Sequence, residues 1–288
     1  MADIYKSEAG RDAIEAFYRS ALERWPVPNR QVIVPTCEGN TFVVISGEEH
    51  ATPVVLFHGS ASNSIAWTRD VAAWSSRYRV YSVDLIGEPG LSAPSRPRLG
   101  SDRYASWLDD VWRELGLTSA SVVGLSLGGW LALDYATRRP EQVRSLSLIS
   151  PAGIGSQNRL ALLGLVPLLF FGRWGRQMAQ RAVSKQAGAS REVGEYMARV
   201  FEHFRPRLER IPCLTDAQLA ALPMPVHVMA GGKDALLRSS ETRERVTRLV
   251  KDLRLTYLEN EGHLLPRQTE NVLAFLDDVT ARQPSRVA

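Results

Sequence analysis

The 288-residue chain is short of cysteine and lysine and has no long apolar run. Its two cysteines, Cys37 and Cys213, form neither a CxxC pair nor a zinc spacing. That excludes a disulfide scaffold and fits a reducing compartment. Lysine occurs only at positions 6, 185, 233 and 251, so the 35 basic residues are nearly all arginine. They are interspersed with 31 acidic residues for a net charge of +4. No dense basic block with interleaved aromatics is present, so the usual footprint of nucleic-acid binding is missing. There is no HExxH and no clustered Cys/His set, so no metal is expected. The longest apolar run, "LALLGLVPLLFF" (160–171), is interrupted by Gly164 and Pro167 and is too short to span a bilayer. The opening "MADIYKSEAGRD" lacks the apolar core of a signal peptide. The expectation is a cytoplasmic protein with no membrane span, no cofactor and a small-molecule partner.

What is present is an alternation. "DAIEAFYRSALERW" places apolar residues at helical steps, and "QVIVPT" and "TFVVIS" read as two strands parted by the turn-forming "EGN". Thereafter strands and helices take turns. "PVVLFHG" (53–59) reads as a buried strand and "SIAWTRDVAAWSS" as one helix. "RVYSVDL" (79–85) is a strand, "RYASWLDDVWREL" (103–115) a helix and "ASVVGLS" (120–126) a strand. After the next helix and the strand "SLSLIS" (145–150), the rhythm breaks and then resumes with "PVHVMAG" (225–231), a helix near 239–251, "LRLTYLE" (253–259) and a final helix in "TENVLAFLDDVTAR". Apolar strands separated by helices predict an α/β protein with a mostly parallel sheet covered on both faces. The break lacks strand signals and reads as a helical cap at 152–222. It is inserted into a core formed by 1–151, with its N-terminal helix, and 223–288.

Ligands of such sheets bind at the carboxyl ends of the strands, and the chemically distinctive residues fall there. Ser126 ends a strand in "SVVGLSLGGW", between Gly124 and Gly128. Asp234 follows a later strand in "AGGKDALL", and His263 follows the last one in "ENEGHLL". A serine hydroxyl attacks only when a base takes its proton, and a histidine base needs a carboxylate to fix its tautomer. Gly-x-Ser-x-Gly by itself is weak, since chance supplies about 0.1 copy in a chain of this length at ordinary Gly and Ser usage. The strand-to-helix placement and the later Asp and His make it strong. Competing motifs fail on spacing: "GLSLGG" is not a dinucleotide fingerprint, and "GGKD" is not a phosphate loop.

With its order Ser, Asp, His, the chain resembles the α/β-hydrolase superfamily, in particular its cap-bearing esterase-like branch. The likeness rests on "HGSASNSIAW", "GLSLGG", "GGKDALL" and "EGHLLPRQTENVLAFL" and covers about residues 30–280. It implies an α/β-hydrolase fold with Ser126 as nucleophile, Asp234 as acid and His263 as base. It also implies an oxyanion hole formed by the backbone N–H groups of Ser60 and Leu127. Trp67 stands where many members carry a tryptophan after the HG loop. The segment "DLIGEPGLSAP" departs from the family's shorter Gly-x-Gly-x-Ser and carries Pro89.

Other candidates read as structural. Asp84 precedes the nucleophile and suits a loop organiser, His58 a tie for the oxyanion loop, and His227 a core position. His203 reads as surface or cap packing, and His50 as exposed. Glu259 and Glu261 are too near His263 in sequence to brace it. In the cap, Phe170, Phe171 and Trp174 are candidates to line an acyl pocket, or else simply pack the cap. The expected activity is hydrolysis of a carboxylic ester of a small to medium apolar substrate. A lactone, a thioester or a carbon–carbon bond, the last with Arg173 or Arg205 receiving a substrate carboxylate, remains open to the same triad. A ligand-binding signalling partner on a hydrolase scaffold is the rival of another class.

Overall fold

The computed structural model describes residues 4–158 and 191–282. Helix α1 (Glu8–Glu23) begins where the Ser7 hydroxyl accepts the Gly10 N–H at 3.1 Å, and its apolar face buries Ile14, Tyr18 and Leu22. Strands β1 (Asn29–Val34) and β2 (Thr41–Ser46) pair as an antiparallel hairpin, and β2 then runs antiparallel to β4 (Arg79–Val83). Strands β3 (Pro53–Phe57), β5 (Ala120–Leu125), β6 (Val143–Ile149), β7 (Val226–Gly231) and β8 (Leu253–Leu258) complete a parallel array with β4. The eight strands lie in the order β1-β2-β4-β3-β5-β6-β7-β8. The chain leaves β3 toward one edge and returns through β5 toward the other, which opens a crevice at the carboxyl ends of those two strands.

Two apolar layers clothe this sheet because its strands are apolar on both faces. Val122 of β5 faces the layer of α3 (Arg103–Glu114), α4 (Leu127–Arg138) and the later helices α6 (Asp216–Ala220) and α7 (Ser239–Leu249). Its neighbour Val123 faces α1, α2 (Val71–Ser75) and α8 (Thr269–Arg282). The period-two alternation along β5 therefore feeds both cores.

Two differences from the sequence reading have clear causes. The single helix expected over 64–76 is a 3-10 turn, Ser64–Trp67, followed by the short α2. Tight i→i+3 bonds carry the chain through, with Thr68 N–H donating to Ile65 O and Asp70 N–H to Trp67 O. This tighter path brings Trp67 and Trp74 together with 5.7 Å between ring centroids, both buried. Between β6 and β7 no strand occurs among the described residues, and α5 (Arg191–His203) packs on α1. Tyr5 and Phe204 form a β-bridge there, flanked by Lys6 N–H to His203 O and Arg205 N–H to Ile4 O, both 2.8 Å. The N-terminal segment thus clasps the C-terminal end of α5. Among the described residues, no helix is long and apolar enough to cross a membrane.

Candidate active site

Ser126 occupies the turn from β5 into α4 with φ 51° and ψ −107°, a conformation that residues with a side chain rarely adopt. Backbone bonds hold it on both sides. Its N–H donates to Ile149 O at 3.0 Å, and its carbonyl accepts from Trp130 and Ala152, each at 3.1 Å. The flanking glycines are required by contact distance. A Cβ on Gly124 would run into the Gly128 carbonyl, and one on Gly128 would overlap the Phe57 carbonyl at the end of β3. Helix α4 can then start directly behind the serine, with its free N–H groups and positive dipole end near the hydroxyl.

The long connections after β7 and β8 bring the other two groups to this point. Ser126 Oγ lies 3.0 Å from His263 Nε2, and His263 Nδ1 lies 2.7 Å from Asp234 Oδ2. The carboxylate can only accept, so Nδ1 carries the proton and Nε2 is left to accept from the serine hydroxyl. The second oxygen of Asp234 accepts the N–H groups of Leu236 and Leu237 at 2.8 and 3.0 Å. With its side chain 1% exposed against 13% for His263, the acid is fixed and shielded while the base stays reachable. Ser150, with φ 43° at the end of β6, donates its hydroxyl to the His263 carbonyl at 2.7 Å and so anchors the histidine loop. No motif in the sequence marks Ser150. Only its position one strand beyond Ser126 hinted at proximity to the site.

The loop after β3 carries Ser60 and faces the elbow from the neighbouring strand. Neither the Ser60 nor the Leu127 N–H donates to a backbone acceptor among the described residues. His58 is buried within the fold, with Nδ1 2.9 Å from Gly59 O and Nε2 accepting the Leu85 N–H at 2.9 Å. Its burial lowers its pKa, so the ring is a neutral tie between the loops after β3 and β4. Asp84 accepts from the Tyr18 hydroxyl (2.8 Å), the Ser64 hydroxyl and N–H (2.7 and 3.0 Å) and the Leu91 N–H (3.0 Å). It is an organiser of that loop and no partner of His263.

The segment 86–90 is part of the same assembly. Glu88 accepts the Ala61 N–H at 2.6 Å, and the Pro89 carbonyl accepts from Asn63 Nδ2 (3.0 Å) and from the Tyr196 hydroxyl (2.5 Å). This segment therefore ties the loop after β3 to α5. The sequence signalled that this segment departs from the family pattern but not its partners, which lie 26 to 107 positions away.

Trp67 is buried, its indole N–H has no partner among the described residues, and it walls a cleft of about 150 Å³. Ala66, Leu125, Ile149, Leu264 and Leu265 also line this cleft, together with the polar Asp70, Arg267 and Gln268, so that it reaches the chain neighbours of Ser126 and His263. Phe170, Phe171, Trp174 and Arg173 lie outside the described residues. Arg205 is directed to the N-terminal segment, with Nε 3.3 Å from Tyr5 O. Glu259 pairs with Arg243 at 3.0 Å, away from His263. His227 is buried against Phe275, and His203 packs on Gly10 of α1.

A family model described as "Alpha/beta hydrolase family" matches residues 54–275. The chain belongs to the alpha/beta hydrolase family. The hydrolase is 30% identical over 278 residues to carboxylesterase YbfK of Bacillus subtilis, covering 90% of this chain and 92% of the relative. The crystal structure of that carboxylesterase superposes with a TM-score of 0.79 at 28% identity, covering 95% of this chain and 98% of the other. Naproxen esterase, carboxylesterase NP of Bacillus subtilis, gives a TM-score of 0.78 at 28% identity, covering 93% and 95%.

Proposed function

We propose that this hydrolase cleaves carboxylic esters of small to medium apolar molecules through an acyl-enzyme on Ser126. The observation that carries the reading is the unbroken chain Ser126 Oγ–His263 Nε2–His263 Nδ1–Asp234 Oδ2, at 3.0 and 2.7 Å. His263 takes the serine proton as Oγ attacks the ester carbonyl, and Asp234 stabilises the imidazolium that forms. The N–H groups of Ser60 and Leu127 receive the oxyanion, a role for which donors left without a backbone acceptor are suited. The imidazolium then protonates the leaving alcohol. A water activated by the neutral ring releases the acid and regenerates the serine.

The cleft walled by Trp67, Leu125 and Leu265, apolar there although Asp70, Arg267 and Gln268 also line it, supports an uncharged substrate group next to the residues that flank the nucleophile. Residues 152–222, inserted between β6 and β7, form the cap in this reading, with Phe170, Phe171 and Trp174 as contributors to the acyl pocket. The likeness to carboxylesterases over nine-tenths of both chains favours esters over the other bonds that such a triad can cleave. Two exposed, unpaired cysteines support a reducing, cytoplasmic setting.

A series of p-nitrophenyl esters of rising acyl length tests the reading. Turnover that depends on chain length and disappears in Ser126→Ala is expected. Negligible turnover on every ester overturns it.

A further inference from the structure

Glu88 is a buried acid, 3% exposed, that the proposed catalytic cycle does not use. Its Oε2 lies 2.6 Å from the N–H of Ala61, the residue directly after Ser60. Ala61 has φ 55°, a left-handed conformation that a residue with a Cβ holds only where its surroundings impose it. A hydrogen bond to an ionised carboxylate is among the strongest such restraints. The next residues are held as well, since the Asn63 side chain caps the Ile65 N–H at 3.0 Å and donates to Pro89 O.

We propose that Glu88 is a positioning residue for the oxyanion hole, its carboxylate holding the Ser60–Ala61 peptide in the turn that presents the Ser60 N–H to the developing oxyanion. The inference rests on the reading of Ser60 as an oxyanion donor.

The surroundings of Glu88 make this brace sensitive to pH. Burial pushes its carboxyl up to about 7, against the opposing pull of the Ala61 N–H and of the Arg96 and Arg207 charges. Tyr104 of α3 and Tyr196 of α5 also feel its charge. Both arginines are engaged elsewhere. Arg96 Nε donates to Gly87 O at 2.9 Å, and Arg207 donates to Pro97 O and the Tyr104 hydroxyl at 3.0 and 2.9 Å. Among the described residues, neither forms an ion pair with Glu88. For a carboxyl whose folded pKa is raised, stability declines as pH climbs from the ordinary carboxylate range through about 7. The oxyanion loop is braced most firmly over the same upper range. Ionisation of Glu88 thus lowers stability while it raises catalysis, a pairing that a purely structural residue would not produce.

The experiment compares wild type, Glu88→Gln, Glu88→Ala and Ser126→Ala on a p-nitrophenyl ester from pH 5.5 to 9, with melting temperatures over the same range. In the wild type, the pH profile of kcat/KM should carry a rise near pH 7 that belongs to Glu88. Glu88→Gln, which keeps an acceptor but not the charge, should lose that rise and show a flatter dependence of Tm on pH. Glu88→Ala should lose about ten- to hundredfold in kcat, within the 10²–10³ that one oxyanion donor is worth, with KM little changed. If Ser126→Ala is inactive while both Glu88 variants keep wild-type kcat and pH profiles, the positioning role is refuted and the nucleophile stands. If Ser126→Ala hydrolyses the ester as wild type does, the active-site reading falls, and this inference with it. Should Glu88→Ala fail to fold, the pH profile of Glu88→Gln decides the question.

Discussion

Replacing Ser126 by glycine should give a more stable protein than replacing it by alanine. Both variants lose the hydroxyl and its 3.0 Å contact with His263, so that loss cancels in the comparison. Alanine keeps a Cβ at φ 51°, ψ −107°, and the strain remains; glycine adopts the same backbone without it. A side chain held in so sparsely populated a region costs about 1–3 kcal/mol. Glycine gives back about 0.4–1 kcal/mol through the greater freedom of its unfolded chain. The difference should be about 1–2 kcal/mol in favour of Ser126→Gly. A domain of 150–250 residues shifts by about 2–4 °C per kcal/mol, so the Tm should rise by about 2–8 °C over that of Ser126→Ala. Scanning calorimetry at matched scan rates, checked by urea midpoints, measures it. A glycine variant that melts at or below the alanine variant would show that the elbow stores no strain in the serine backbone.

Two further outcomes follow from the same geometry. Asp234→Asn preserves shape but sets an amide against the Nδ1–H of His263, favouring the wrong tautomer; kcat should drop by about 10⁴, as carboxylate-to-amide changes do in such triads, and a loss below tenfold would contradict the assigned role. His227 is fully buried, and burial, then the nearby Arg254 charge, presses its pKa down to about 4. Its neutral form therefore contributes stability that is present above the ordinary histidine pKa near 6.5 and is lost as pH falls from there through about 4. At 1.36 kcal/mol per pH unit over that window, the wild type should lose about 3 kcal/mol more than His227→Leu between pH 7 and 4, read from urea midpoints; parallel pH dependences would refute it.

The sheet, and the meeting of Ser126, Asp234 and His263 at its edge, were legible because local pattern and chemistry coincide there. Apolar runs such as "VVLF" and "SVVGL", short, rich in valine and followed by glycine or a turn, read as buried strands, and Ser126, Asp234 and His263 stand past the ends of such strands. What escaped depends on contacts between distant segments. The break after Trp67 comes from packing against Trp74 and from Asp70 being held by the Thr269 hydroxyl, neither visible in a helical period. Nothing in "SLSLIS" marks Ser150 out, since its worth lies in a bond to a carbonyl 113 positions on. Likewise, nothing in "IGEPG" announces that Glu88 meets Ala61 or that Pro89 meets Tyr196, because a backbone N–H or a phenol elsewhere in the chain leaves no periodic trace.

Rapid-quench mass spectrometry during turnover of p-nitrophenyl acetate probes the proposed chemistry at its source. An acetyl group carried on the peptide containing Ser126, appearing with the burst of p-nitrophenol and absent from Ser126→Ala and His263→Ala, is the expected result. Turnover with no acyl adduct on Ser126, or an adduct that forms equally fast without His263, would contradict the activation of that serine by its neighbours.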